Sequence, residues 1–198
     1  MIIKLLIKRV YYFHKWLYVQ FFKGFFYEKK YLSGRWFDNG MCSIGWIWAA
    51  RDIHYRLKTL QHTNIHWPVS PNINCSEHII FDPDDLNNFN GKGNYFQAFE
   101  AWIIIGKGTY IAPNVGIITS NHKFSDLGKH ESGKDVILGE KCWIGMNSVI
   151  LPGVILGDNT VVGAGSIVTK SFPEGNCVIC GNPAKIIKNI YNSGFSDC

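Results

Sequence analysis

The sequence predicts an all-β fold, a stack of very short strands wound in successive coils, with a helical segment in front of it. The first observation is a beat of six: an aliphatic residue returns at Leu138, Ile144, Ile150, Leu156, Val162 and Val168. The second is its companion, a small or branched residue four places later at Cys142, Ser148, Val154, Thr160 and Ser166. A helix spaces its apolar residues by three and four and a lone strand by two, so a sustained six describes neither. The third is a break. Ile105, Ile111 and Ile117 keep the beat, but the step from Ile117 to Leu138 is not a multiple of six. A loop over 121–136 therefore leaves the stack, and it carries His122.

In chain order, residues 1–66 form the basic, aromatic helical segment. Residues 1–30 hold seven cations against Glu28 alone, a charge of +6 in a chain whose formal total is +5, so the remainder sums to −1. No run in 1–32 reaches the ~20 apolar residues that span a bilayer. Cations interleaved with aromatics suit a helix lying in the headgroup layer of an anionic membrane, or an arm that packs on a neighbouring subunit or covers the end of the coils; these readings stay open. Trp46, Ala49, Ala50, Ile53, Leu57 and Leu60 fall at helical spacing and predict a helix over 45–61. Arg51, Asp52, Arg56 and Lys58 take its other face, where an Asp52–Arg56 pair contributes about a few tenths of a kcal/mol. Trp67-Pro-Val-Ser-Pro71 breaks that helix and opens the β domain, 67–188. Residues 82–95 are turn-rich, 174–190 depart from the stack, and 189–198 form a tail expected to fray.

Six cysteines without a compact framework, and no cleavable leader pattern after Met1, point to a reducing, cytoplasmic setting. Cys177-Val-Ile-Cys180 has zinc-ligand spacing but no second pair, so the thiols are expected to pack as small hydrophobes. A near-neutral body argues against nucleic acid as a partner. No phosphate-binding glycine loop is present, and no metal is called for.

Four stretches carry a family resemblance: Ile105-Gly-Lys-Gly-Thr-Tyr-Ile-Ala-Pro-Asn-Val115, Cys142-Trp-Ile-Gly-Met-Asn-Ser-Val-Ile-Leu-Pro-Gly-Val154, Val162-Gly-Ala-Gly-Ser-Ile-Val-Thr-Lys170 and Gly181-Asn-Pro-Ala-Lys185. They resemble the hexapeptide-repeat acyltransferases, in the branch of galactoside, maltose and polysaccharide O-acetyltransferases, over roughly residues 67–188. The resemblance implies a left-handed parallel β-helix, a homotrimer, acetyl-CoA as co-substrate, and clefts between neighbouring subunits. It also implies roles: Ser120-Asn-His-Lys-Phe124 resembles the loop whose histidine deprotonates the acceptor, making His122 the expected catalytic base. Trp143, Gly145, Gly163, Ala164, Thr169, Lys170 and Lys185 match positions that line the CoA channel. Gly and Ala at these places are also what tight coils require.

The chemistry stands beside the resemblance. Acyl transfer from a thioester needs a base held in one tautomer, a donor for the oxyanion and a groove for the long cofactor. Histidine titrates nearest neutrality, and His122 is set apart from the other six histidines by its place at the phase break. His130 is second in line, as a residue shaping the acceptor pocket. Asp84 or Asp85 is the candidate to orient the His122 ring, Asn94, Tyr95 and Asn121 are candidates to line the acceptor site, and a backbone N–H near Gly145 is the candidate oxyanion donor. The expectation is a CoA-dependent O-acetyltransferase acting on a sugar or lipid-linked glycan in capsule, O-antigen or exopolysaccharide assembly. The alternatives are a non-catalytic scaffold in glycan assembly, a transferase for a non-sugar acceptor such as an antibiotic, and a zinc hydratase, which would need three converging histidines.

Overall fold

The computed structural model describes residues 2–62 and 64–190. Two helices come first, α1 at Ile2–Phe26 and α2 at Ile44–Thr59. The second corresponds to the helix expected over 45–61, and it stops where Leu60 turns to the left-handed region at φ 58°. Val19 and Tyr27 pack against Ala49, Ala50 and Ile53 of α2 in a small core of their own.

The Asp52–Arg56 pair corrects the expectation of a solvated face. Both side chains are fully buried and their ion pair is 2.8 Å long. Arg56 donates to the carbonyls of Ile65 at 2.6 Å and Trp67 at 2.9 Å, so it bolts α2 to the chain that enters the β region. The Asp52 carboxylate accepts from Tyr27 Oη at 2.9 Å and from Val69 N at 3.2 Å. A charge pair this deep survives only because nearly every polar atom has a partner.

From Asn74 the chain coils over three parallel faces, and it visits them in the order first, second, third. The first holds Asn74–Cys75, Tyr95–Gln97, Gly116–Ile118, Val149–Ile150 and Ile167–Val168. The second holds Ile79–Ile80, Ile103–Ile105, Val136–Leu138 and Ile155–Leu156. The third holds Tyr110–Ile111, Trp143–Ile144, Val161–Val162 and Cys177–Gly181, with Ala184–Asn189 paired antiparallel on its edge. In the regular part each strand pairs with the one three beats of six further on: Trp143 with Val161, Val149 with Ile167, Ile137 with Ile155. Three sixes close one coil. The periodic aliphatic residues Ile111, Ile117, Leu138, Ile144, Ile150, Leu156, Val162 and Val168 all point inward and are buried. Thr109, Ser148, Thr160 and Ser166 are buried at the corners, where their hydroxyls donate to carbonyls of Gly139, Gly163, Gly157 and Gly163. That is why a small polar residue fits there: its one donor is satisfied locally.

Across the phase break, Ile104 pairs with Ile137, whereas three sixes from Ile104 reach only His122. The stretch between is the insertion. It forms a hairpin, His122–Lys123 against Asp126–His130. Helices α1 and α2 are the helical segment expected in front of the coils. One expectation needs correction: residues 174–190 do not leave the stack, since Cys177–Gly181 continues the third face and Asn189 pairs with Cys177. Of the tail expected to fray, 191–198 lie outside the described residues.

Candidate active site

The three faces meet at three edges, and the edge a residue occupies decides what it can touch. His122 stands where the chain passes from the first face to the second. It is exposed, and its ring lies tilted against that of His130, 4.4 Å between centroids. His130 in turn meets the edge of Phe99 at 5.8 Å. Among the described residues, no carboxylate or carbonyl is bonded to either ring nitrogen of His122.

The hairpin is fixed at its base. Gln97, buried on the preceding coil, accepts at Oε1 from Thr119 N (3.1 Å) and Ser120 N (3.2 Å) and donates from Nε2 to Ser120 O (3.2 Å). Glu131 N donates to Asn121 O at 2.8 Å and Ser120 Oγ donates to Glu131 O at 2.8 Å, closing the neck. The side chain of Asn121 is exposed at that neck. One amide therefore holds the strand that launches the histidine.

A groove of about 490 Å³ runs along the same edge toward the helices, lined by Ser76, Glu77, His78, Phe99 and Glu100 among others. Phe99 belongs both to this groove and to the His130 contact, so the two are continuous. His78 donates from Nδ1 to Ala98 O at 3.2 Å, has a Glu77 carboxylate oxygen 3.9 Å from Nε2, and meets Trp102 edge-on at 5.1 Å. These groove residues escaped sequence reasoning. Their coils pair Tyr95 with Gly116 and Ile79 with Ile103, spacings that are unequal and longer than three sixes, so no constant period marks them.

Asp84 and Asp85 lie at a different edge, between the second and third faces. Asp84 accepts from Arg35 N at 2.8 Å through its carboxylate and from Trp36 Nε1 at 2.6 Å through its carbonyl, which ties the segment after α1 to the β-helix. Asp85 accepts from Gly108 N at 2.7 Å; burial raises its pKa above the usual carboxylate value, and that amide hydrogen bond opposes the rise. Neither stands beside His122 in this chain, so the expected orienting role is not theirs here. Asn94 is also corrected: it is 2% exposed and its Oδ1 accepts from Val115 N at 3.0 Å, a bond that holds two coils together. Tyr95 lies on the outside of the first face, partly exposed.

The residues expected along the cofactor fall into two groups. Trp143, 57% exposed, stands outside the third face, one coil after the exposed Tyr110. Gly145, Gly163 and the exposed Ala164 follow at the edge between third and first faces, and exposed Lys185 is on the terminal hairpin. Exposed Thr169 and Lys170 are instead on the His122 edge, with Lys170 Nζ 5.6 Å from the Phe172 ring. The whole first face separates the groups within one chain. A Cβ at Gly145 would come within 2.6 Å of Ala164 N and Val162 O, so this glycine is required by coil packing. Its own N–H donates to Val162 O at 2.8 Å and is not free to meet an oxyanion. Among the described residues, no group of three or more His, Cys, Asp or Glu is gathered to hold a metal ion.

Residues 135–170 match the family model of the bacterial transferase hexapeptide, six repeats. The chain is 35% identical over 133 residues to the galactoside O-acetyltransferase of Lactococcus lactis, covering 60% of this chain and 64% of that one. It is 44% identical over 103 residues to the Escherichia coli protein named "Putative lipopolysaccharide biosynthesis O-acetyl transferase WbbJ", covering 46% and 51%. A solved maltose O-acetyltransferase from Clostridium difficile is 34% identical, with 62% of this chain and 69% of that chain covered and a TM-score of 0.40. The chain thus spans less than two thirds of the length of these two curated relatives.

Proposed function

Because the chain belongs to the bacterial hexapeptide-repeat transferase family, we propose that it moves an acetyl group from acetyl-CoA to a sugar hydroxyl, with His122 as general base. The observation that carries this reading is the exposed His122 ring on a hairpin inserted at an edge of the β-helix, beside a groove with aromatic and carboxylate walls. Carboxylates such as Glu100 accept hydrogen bonds from sugar hydroxyls, and rings such as Phe99 cover apolar sugar faces. In the reaction the imidazole takes the hydroxyl proton as the oxygen attacks the thioester carbonyl. The tetrahedral intermediate then collapses, the C–S bond breaks, and the imidazolium returns its proton to the departing CoA sulfur. No covalent acyl-enzyme is needed.

The finer parts of the reading follow from the family. The β-helix is left-handed and the working unit is a homotrimer. The split of Trp143, Gly163, Ala164 and Lys185 from His122, Thr169 and Lys170 supports a cleft completed by a neighbouring copy, which brings one chain's third-face group to another's histidine edge. That copy, or the acceptor itself, would also orient the imidazole. His130 and Asn121 shape the acceptor side. The likeness to WbbJ supports assembly of a surface polysaccharide as the setting. Acetyl-CoA as donor and free thiols at Cys42, Cys75, Cys142, Cys177 and Cys180 suit the cytoplasm.

The test is purified protein incubated with acetyl-CoA and a panel of mono- and oligosaccharides while free thiol is followed. His122→Ala should lower turnover by about 10²–10⁴-fold, the range for a general base. Full turnover by that variant removes His122 as the base. Thiol release only with non-sugar acceptors would reassign the substrate and keep the base.

A further inference from the structure

Helix α1 holds five cations (Lys4, Lys8, Arg9, Lys15 and Lys23) and no carboxylate. Leu6, Val10, Phe13, Leu17 and Phe21 follow one another at steps of four, three, four and four, so they share one side of the helix. Each is 43–74% exposed, although all are large and apolar. Val19, on the other side, is buried against α2 together with Tyr18 and Phe22. The stripe therefore faces away from the protein, and none of the five cations interrupts it. A groove of about 510 Å³ continues the apolar surface inward between α1 and α2, past Leu17, Phe21, Phe22 and Ala50, with His14 and His54 also on its wall.

We propose that α1 is an interfacial helix that docks the protein on an anionic lipid bilayer. The stripe sinks among the acyl chains near the headgroups, and the cations meet lipid phosphates. Two rival arrangements fit less well. A second copy laid stripe to stripe would bring no opposite charge to the seam, because α1 carries no carboxylate, whereas paired helices stabilise such a seam with opposite charges along its flanks. A spanning orientation fails because no helix among the described residues is long and apolar enough to cross a membrane. The basic charge is also concentrated at this end, since the chain beyond Lys30 sums to about −1 against +6 before it.

The experiment sediments the full chain with vesicles of phosphatidylcholine alone and of phosphatidylcholine mixed with phosphatidylglycerol. Binding is expected to the anionic vesicles, at least about tenfold above the neutral ones, and to weaken as salt is raised. The double variant Leu17→Glu/Phe21→Glu should lose about tenfold of that binding with its melting temperature kept, because both side chains are exposed. Lys4→Glu/Lys8→Glu should lose binding at low salt as well, and serves where the first variant fails to fold. Wild-type protein left in the supernatant with both vesicle types overturns the proposal. So does a Leu17→Glu/Phe21→Glu variant that changes oligomeric state by light scattering and binds vesicles as before, which would make the stripe a subunit contact.

Discussion

Gly145 and Gly163 stand one coil apart and look alike in sequence, yet they face different neighbours. At Gly145 an added methyl meets backbone, Ala164 N and Val162 O, both 2.6 Å away. At Gly163 it meets the side chain of Cys180, Sγ at 2.9 Å, which can rotate. Gly145→Ala is therefore expected to destabilise by about 3 kcal/mol and Gly163→Ala by about 1 kcal/mol, within the usual range for overpacking. Thermal unfolding of the two variants measures the difference. Melting temperatures equal to that of the wild type in both variants would mean that these glycines are not required by the packing of the next coil. The place of His122 on an inserted hairpin was legible at this scale too, because the break in the beat of six marks the insertion. The surroundings of Asp84, Asp85 and Asn94 were not. An acidic or amide residue in a turn reads the same whether its oxygen meets solvent or a backbone N–H a full coil away, as those of Gly108 and Val115 are.

The hairpin that carries His122 depends on Gln97, an element-scale device that no local pattern announces. Removing its amide strips the Gln97 partner from Ser120 N and Ser120 O at the neck of the insertion, while Thr119 N keeps the carbonyl of residue 97 at 3.0 Å. Gln97→Ala should cost about 1–3 kcal/mol, the penalty for buried groups left unsatisfied. Under the proposed reaction it should also lower kcat more than the KM for acetyl-CoA, since the hairpin would aim the base and would not hold the donor. Steady-state kinetics with acetyl-CoA varied at saturating acceptor checks this; a pure KM effect would show that the neck positions the cofactor instead. The strands themselves were read from the beat of six wherever three sixes make a coil. They were not readable over 67–101, where a 3-10 helix at Pro83–Phe89 stands on the third-face side and the aromatic cluster of Trp67, Phe81, Phe89 and Phe96 replaces stacked aliphatics.

At the level of the molecule, the helices and the β-helix are joined through one buried guanidinium. Arg56 is bonded to Asp52 and to the carbonyls of Ile65 and Trp67, and its removal leaves the Asp52 charge without its cation in a dry interior. Arg56→Ala should cost about 3–5 kcal/mol. Denaturant unfolding followed by far-ultraviolet and tryptophan signals reads this. A cost below about 1 kcal/mol would place the pair at the surface, where exposed ion pairs contribute little. This junction fixes where α1, with its apolar stripe and its cations, lies relative to the β-helix.

The sequence by itself determined the coil, its inward column, the inserted loop and the histidine on it, because a repeat of six forces equivalent side chains to stack whatever surrounds them. It also determined that positive charge gathers ahead of Tyr31. Tertiary structure alone decided which edge each candidate occupies, since two residues that share a motif diverge by a face once the chain turns a corner. It decided, too, that Asp52 and Arg56 are interior and that the outward stripe of α1 is bare. Burial is set by what packs above a side chain, and that neighbour is distant in sequence.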